Sequence, residues 1–299
     1  MRVRSAENSR SARSSRTETL EPVDRIRKRV IELAVSQGGL VTLPQIAPAR
    51  AAREGRRAMA TLSRMGEVER VGTDVWVHRV ADRSAFDSAL RAEAAWVLLD
   101  PTHPAWARAR RARAGGESVA VIGGGAAHQR WGFGPTTWPA ELHTPDGDPV
   151  RFASLDVEVR REEVEPDDIV WFGPFPYLGV EATLAGSFAW DGDLDSVAAD
   201  LADALWRLHP VDGGRLRRHL ATLHRTDDER AATLEADNLW DELLRRTGRW
   251  HPQPVDGAGS AWRQNRPPSD AAIARYRAAL DPERRAQLWT SVVQEFAGS

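Results

Sequence analysis

The chain has 299 residues, 41% hydrophobic and 28% charged, the composition of an ordinary folded protein, and at about 100–200 residues per domain its length suggests about two domains. It holds no cysteine and a single lysine, Lys28, which excludes disulfides, thiolate metal sites and thiol catalysis, and leaves no lysine beyond position 28 for a P-loop or a Schiff base. The formal charge of −2 hides an asymmetry: residues 1–80 carry 16 basic and 9 acidic side chains, residues 81–299 carry 25 and 34, so a part of net +7 precedes one of net −9, the pattern of a nucleic-acid-binding module joined to something else.

Residues 1–21 are rich in Ser and Arg and poor in large apolar residues, which predicts a disordered basic arm. Its arginines, Arg2, Arg4, Arg10, Arg13 and Arg16, suit phosphate contacts. From Val23 to Gln37 the residues Ile26, Val30, Ile31, Leu33 and Ala34 stand at helical spacing, and Gly38-Gly39 ends that helix. Leu40-Val41 reads as extended. Thr42 is a candidate cap for a short helix through Ile46, and Pro48 interrupts. A third helix is expected from Ala51 to Met65, with Ala58, Met59, Leu62 and Met65 inward. Two β runs, Val68–Val71 and Val75–Val77, flank the turn Gly72-Thr73-Asp74.

The order helix, strand, helix, helix, hairpin predicts a winged helix-turn-helix over 22–80, whose third helix enters the major groove. Double-stranded DNA is the expected partner. The candidate contacts are Thr42 and Gln45 on the short helix, Arg50, Arg53, Arg56, Arg57 and Arg64 on or beside the third, and Arg70 on the wing. Guanidinium groups suit bidentate pairing with guanine or phosphate.

Residues 84–299 are expected to form a larger mixed α/β domain ending in helices, so the fold class is α+β. Ser84 is a candidate cap for a helix through Leu99, followed by a loop around Pro101–Pro104. Strands are expected at Val119–Ile122, Glu141–His143, Phe152–Val159, Ile169–Phe172 and Pro176–Leu178. Helices are expected at Leu194–Leu208, Gly214–Leu223, Asp227–Arg246, Ala271–Ala279 and Pro282–Phe296, with a loop over Trp250–Pro268. No apolar run approaches the roughly 18–20 residues of a membrane span, and the basic N-terminus lacks a secretory h-region. The expected location is the cytoplasm, with no membrane partner.

Four patterns invite a chemical reading and lack what it requires. Val119–Gly125 looks like a strand entering a dinucleotide loop, but His128 stands where the third glycine belongs and Gly132, Gly134 and Pro135 break the helix behind it. Gly186-Ser187 precedes Asp191 and Asp193 by three residues, too close for a nucleotidyltransferase metal site, so a turn is expected. The acidic run from Glu162 to Asp168 lacks convergent ligand geometry. His219 and His224 are five apart, on different helix faces. The chain is therefore expected to be no enzyme, with no catalytic residue, metal or cofactor. Trp138, Trp250 and Trp262, in Pro/Gly-rich stretches, are candidates for an exposed partner surface.

The stretches Val30-Ile-Glu-Leu-Ala34, Gly38-Gly-Leu-Val-Thr42 and Met65-Gly-Glu-Val-Glu-Arg-Val-Gly72, ending at Val75-Trp76, carry a resemblance. Residues 30–80 resemble the N-terminal winged helix of AbiEi-type antitoxins, from AbiE-like (type IV) toxin–antitoxin systems. Ala126-Ala-His-Gln-Arg-Trp-Gly132, Leu178-Gly-Val-Glu-Ala-Thr-Leu184 and Asp195–Leu208 are similar to later parts of that family, and residues 225–299 carry no resemblance. Pro48-Ala-Arg-Ala-Ala52 departs from the family's Gly-Leu-Ser-like turn. The resemblance implies a DNA-binding antitoxin that represses its own operon through inverted repeats in its promoter. It also implies neutralisation of a cognate nucleotidyltransferase-like toxin, with or without a stable complex. The alternative is a winged-helix regulator whose C-terminal domain senses a ligand and has no toxin partner.

Overall fold

A computed structural model describes residues 23–247 apart from 82, 84–86, 116–118, 134–135, 146–151, 208, 210 and 224–228. The arm expected over residues 1–21, the loop expected over 250–268 and the helices expected at 271–279 and 282–296 lie outside the described residues.

Helix α1 spans 23–36. Ile26, Val30, Leu33 and Ala34 face inward, while Ile31 and Val35 are 40% and 71% exposed. Ile31, counted among the apolar residues at helical spacing, sits one residue off the stripe of i, i+4, i+7 positions and so turns outward. Gly38 and Gly39 both have positive φ, and Gly39 N–H donates to Ala34 O to close the helix.

Next come β1 (Leu40–Thr42), α2 (Leu43–Ile46), a 3₁₀ turn at Ala49–Ala51, α3 (Ala52–Arg64), β2 (Val68–Gly72) and β3 (Val75–His78). The three strands make an antiparallel sheet in the order β1-β3-β2, with Val41 and Arg70 both opposite Trp76. Val30, Val41, Leu43, Met59, Leu62 and Trp76 belong to one core shared by the helices and this sheet. Gly55 is where α3 closes on α2: a Cβ there would lie 2.7 Å from Ala47 Cβ and 2.9 Å from Leu43 Cδ1. Met65, expected inside, follows the end of α3 and is 56% exposed.

Helix α4 (Ser88–Leu99) is capped by Asp87, whose carboxylate accepts Leu90 N–H at 3.1 Å. It is buried along most of its length and packs on β1 and β2 as well as on the second sheet. Helix α5 (Ala105–Arg113) follows the loop expected around Pro101–Pro104, in a stretch for which no element is expected. With only Ala105 and Ala109 buried, it has too few apolar positions to show a period.

The second sheet comprises β4 (Val121–Gly123), β5 (Ala140–His143), β6 (Val157–Arg160), β7 (Ile169–Phe172) and β8 (Phe175–Leu178), in the order β6-β5-β4-β8-β7. It is mixed: β4 is antiparallel to β5 and parallel to β8, and β5 is parallel to β6. The strand expected over Phe152–Val159 begins only at Val157, because Ala153–Leu155 is a 3₁₀ turn and Asp156 has φ of 55°. Helix α6 (Gly124–Trp131) follows β4 directly.

The remaining helices are α7 (Val180–Asp191), α8 (Leu194–Trp206), α9 (Gly213–Leu223) and α10 (Glu229–Thr247). They pack α7 on α8 and α9, and α10 on α8 and α9. Strands gathered in sheets with helices in separate runs make the class α+β. Two compact units result. One holds the described residues up to Ala126 with Pro139–Tyr177; the other holds Ala127–Trp138 with the described residues from Leu178 on. Both sheets and α1–α5 therefore belong to the first unit, and α7–α10 to the second. Among the described residues no helix is long and apolar enough to cross a membrane.

Candidate nucleic-acid interface

Helix α3 is sharply two-faced. Gly55, Ala58, Met59 and Leu62 are buried. Arg53, Arg57 and Arg64 recur at i, i+4 and i+11, which places them on one stripe along the opposite face, and all three are exposed. Arg50, in the 3₁₀ turn, is exposed just ahead of them. Among the described residues no carboxylate pairs with Arg50, Arg53 or Arg57. Such a row presents guanidinium forks to solvent in the geometry that binds phosphate or guanine edges.

The other arginines are partly occupied. Arg56 grips Asp74 in the β2–β3 turn through Nε at 3.2 Å and Nη2 at 2.9 Å. Its pKa is raised by that hydrogen bond and by the Asp74 charge. The pair ties the hairpin tip to α3, and Asp74 holds φ of 58° there. Arg64 folds back on its own helix, donating to Thr61 Oγ1 at 3.0 Å. Arg70 is exposed on β2 and donates to Gly72 O at 3.1 Å.

Thr42 and Gln45 are not on this surface, which corrects the expectation that they contact DNA. Both are buried. Thr42 Oγ1 donates to Pro101 O at 2.6 Å, and Gln45 Nε2 donates to His103 O at 2.9 Å. Gln45 Oε1 accepts from Thr42 N–H and from Gln37 Nε2, and Gln37 Oε1 accepts Ala105 N–H at 3.0 Å. Gln37, one residue past the end of α1 and four after Leu33, is buried with Thr42 and Gln45 and finds its partners in the same network.

Three polar clusters lie elsewhere. In the first unit Glu93, 1% exposed, accepts from Tyr177 Oη at 2.5 Å and from Arg83, which also bonds Asp87. On the second sheet His143 is held between Glu162 and Glu141, and Arg160 donates to Glu141 at 2.7 Å. Burial lowers the His143 pKa, but the Glu162 hydrogen bond and the charge of the neighbouring Glu141 carboxylate more than offset that and raise it. In the second unit His128 Nε2 bonds Asp200 Oδ2 at 2.7 Å, with His128 3% and Asp200 5% exposed. This His–Asp pair has the spacing of a catalytic dyad. Both side chains are buried, and the bond ties α6 to α8.

The tempting motifs resolve into backbone requirements. Gly124 has φ of 60°, and a Cβ there would lie 2.3 Å from Pro139 O, while Gly125 N–H donates to that same carbonyl. Gly124 is thereby required by the close approach of the chain entering β5. Gly192 is the left-handed cap of α7, and Asp193 caps α8 by accepting Asp195 N–H. Trp138 is buried against Gly186, whose added Cβ would lie 2.4 Å from the indole. This corrects its expected role at an exposed surface; Trp250 and Trp262 lie outside the described residues. Among the described residues no group of three or more His, Asp and Glu side chains is placed to hold a metal ion.

No protein-family model matches the chain, and no curated protein matches it. Among solved structures it is similar to the crystal structure of the RV2827C protein from Mycobacterium tuberculosis, at 16% identity and a TM-score of 0.43, over 77% of this chain and 83% of that one.

Proposed function

We propose that residues 22–80 form a winged helix-turn-helix that binds duplex DNA, and that the chain is a non-enzymatic antitoxin repressing its own operon. The observation that carries this reading is the arginine stripe of α3, exposed opposite the buried face of that helix and flanked by a hairpin tied to it by Arg56 and Asp74. The element order α1-β1-α2-α3-β2-β3 and the sheet order β1-β3-β2 support it. In such a domain the helix of α3's kind lies in the major groove and the preceding one crosses the backbone.

Neutralisation of a nucleotidyltransferase-like toxin rests on the resemblance of residues 30–80 to AbiEi-type antitoxins. The second unit would carry it.

The test is binding of the full chain to duplex DNA from its own promoter, against a scrambled duplex. Arg53→Ala and Arg57→Ala should each weaken promoter binding by about 1–3 kcal/mol where they contact bases. Affinity should fall steeply with salt. Absence of promoter binding even at low salt would sink the DNA half of the proposal. Co-expression with a neighbouring nucleotidyltransferase-like gene tests the other half: toxicity unrelieved by the folded chain would end it.

A further inference from the structure

The chain leading into α5 is docked on α2. Three hydrogen bonds hold it there: Thr42 Oγ1 to Pro101 O (2.6 Å), Gln45 Nε2 to His103 O (2.9 Å) and Ala105 N–H to Gln37 Oε1 (3.0 Å). Gln37, Thr42 and Gln45 are all buried, so these bonds are shielded from competing water and costly to break. The first turn of α5 is thereby fixed to the end of α1, to β1 and to α2.

Helix α5, Ala-Trp-Ala-Arg-Ala-Arg-Arg-Ala-Arg, has four arginines and no acid. Packing accounts for two of them. Arg108 lies 3.8 Å over Trp96 and donates to Trp96 O, and Arg113 lies 4.5 Å over Trp171 and donates to Gly173 O. Arg110 is exposed, 5.8 Å from the ring centroid of Trp106, itself 47% exposed. Arg111 is exposed and reaches Asp100 at 3.4 Å, a surface pairing of the kind that contributes little to stability. Basic residues in a last turn complement the helix dipole; that does not account for an exposed tryptophan in the first turn.

We propose that α5 is a second DNA-contacting element, which lays Arg110 and Arg111, beside Trp106, on the sugar–phosphate backbone of the duplex that receives α3. The inference rests on the winged-helix reading above. In that geometry the helix preceding the recognition helix crosses the backbone. That helix is α2, and α5 starts from its flank. Gln37, Thr42 and Gln45 are then positioning residues: they hold α5 in register with α2 and touch no DNA. Contacts to phosphate fix orientation and add affinity without carrying sequence information.

The experiment uses the full chain, Arg110→Ala/Arg111→Ala and Arg53→Ala/Arg57→Ala, each titrated at several salt concentrations. The probes are the promoter duplex, a scrambled duplex of equal length and one promoter strand alone. Both α5 side chains are exposed, and an unchanged thermal melt of the variant checks that its fold is kept. Arg110→Ala/Arg111→Ala should weaken both duplexes by the same factor, about tenfold near 0.1 M salt. It should also reduce the slope of log affinity against log salt by about 1–2. Arg53→Ala/Arg57→Ala should instead abolish the preference for the promoter. Unchanged affinity and slope in the α5 variant, with promoter binding lost in the α3 variant, would overturn the role of α5 and leave the winged-helix reading standing. A loss confined to the promoter duplex, or to the single strand, would overturn the backbone role. If the unmodified chain bound neither duplex, both readings would fall.

Discussion

Gly124 shows how a single residue can imitate a functional motif. A glycine run after an apolar strand reads as a phosphate loop, yet here its left-handed φ and the 2.3 Å approach of Pro139 O to its missing Cβ already require glycine. Gly124→Ala should therefore cost more than about 2 kcal/mol, from the backbone strain and the clash together. Chemical denaturation checks this; a near-neutral variant would mean that the approach is looser. His143 makes a second prediction. Its pKa is raised in the folded protein above the ordinary value of 6.5, so its stabilising contribution is complete below pH 6.5 and is lost as pH rises through the folded-state value. Glu141 and Glu162 are shifted the other way: His143 and Arg160 draw Glu141 down against its burial, and the His143 hydrogen bond draws Glu162 down. Their share is lost as pH falls below about 4.5. The stability difference between the unmodified chain and His143→Gln should therefore shrink from pH 6 to pH 8. Burial lowers the pKa of His78 and His209, which tilts both proteins oppositely and cancels in the comparison. A difference that stayed constant would contradict the placement of His143 between its two carboxylates.

Among the elements, α3 was legible and α5 and α7 were not. Helix α3 alternates apolar and basic residues at helical spacing, so its period survives in the sequence. Helix α7 is apolar nearly all round, and α5 is basic nearly all round; neither displays a face. The contact of α2 with α3 gives a prediction whose sign the structure decides. On helix propensity alone Gly55→Ala should stabilise by up to about 1 kcal/mol. With Ala47 Cβ at 2.7 Å and Leu43 Cδ1 at 2.9 Å from the added methyl, it should instead destabilise, by about 1–3 kcal/mol. A raised denaturation midpoint would show that α2 moves aside freely. Under the proposed DNA-binding function the same substitution should lower promoter affinity, since it shifts α3 on its support.

At the scale of the molecule, charge and composition suggested a boundary near residues 81–84, while the compact unit that contains α3 extends to Ala126 and takes in Pro139–Tyr177. A fragment ending at residue 81 would strip Thr42, Gln45 and Gln37 of Pro101 O, His103 O and Ala105 N–H. Each buried polar group left without a partner costs about 1–3 kcal/mol. Residues 22–81 alone should therefore melt well below the full chain, or without a cooperative transition; an unchanged melting temperature would show that the segment is self-sufficient.

Local chemistry in the sequence determined α1–α3, the hairpin turn at Thr73-Asp74, the turn at Asp191-Gly192-Asp193 and the exposed arginines of α3, because periodicity and turn propensity act within a few residues. What Thr42 and Gln45 do was decided only by tertiary structure. Both are polar residues at the start of a short helix, where surface and interior look alike in sequence. Their partners lie 58 and 59 positions away, and only the folded chain brings those carbonyls close enough to make burial cheaper than exposure. The order of the second sheet was fixed in the same way: β8 pairs with β4 across more than 50 residues of chain, and no local signal encodes which strand a buried apolar run will find.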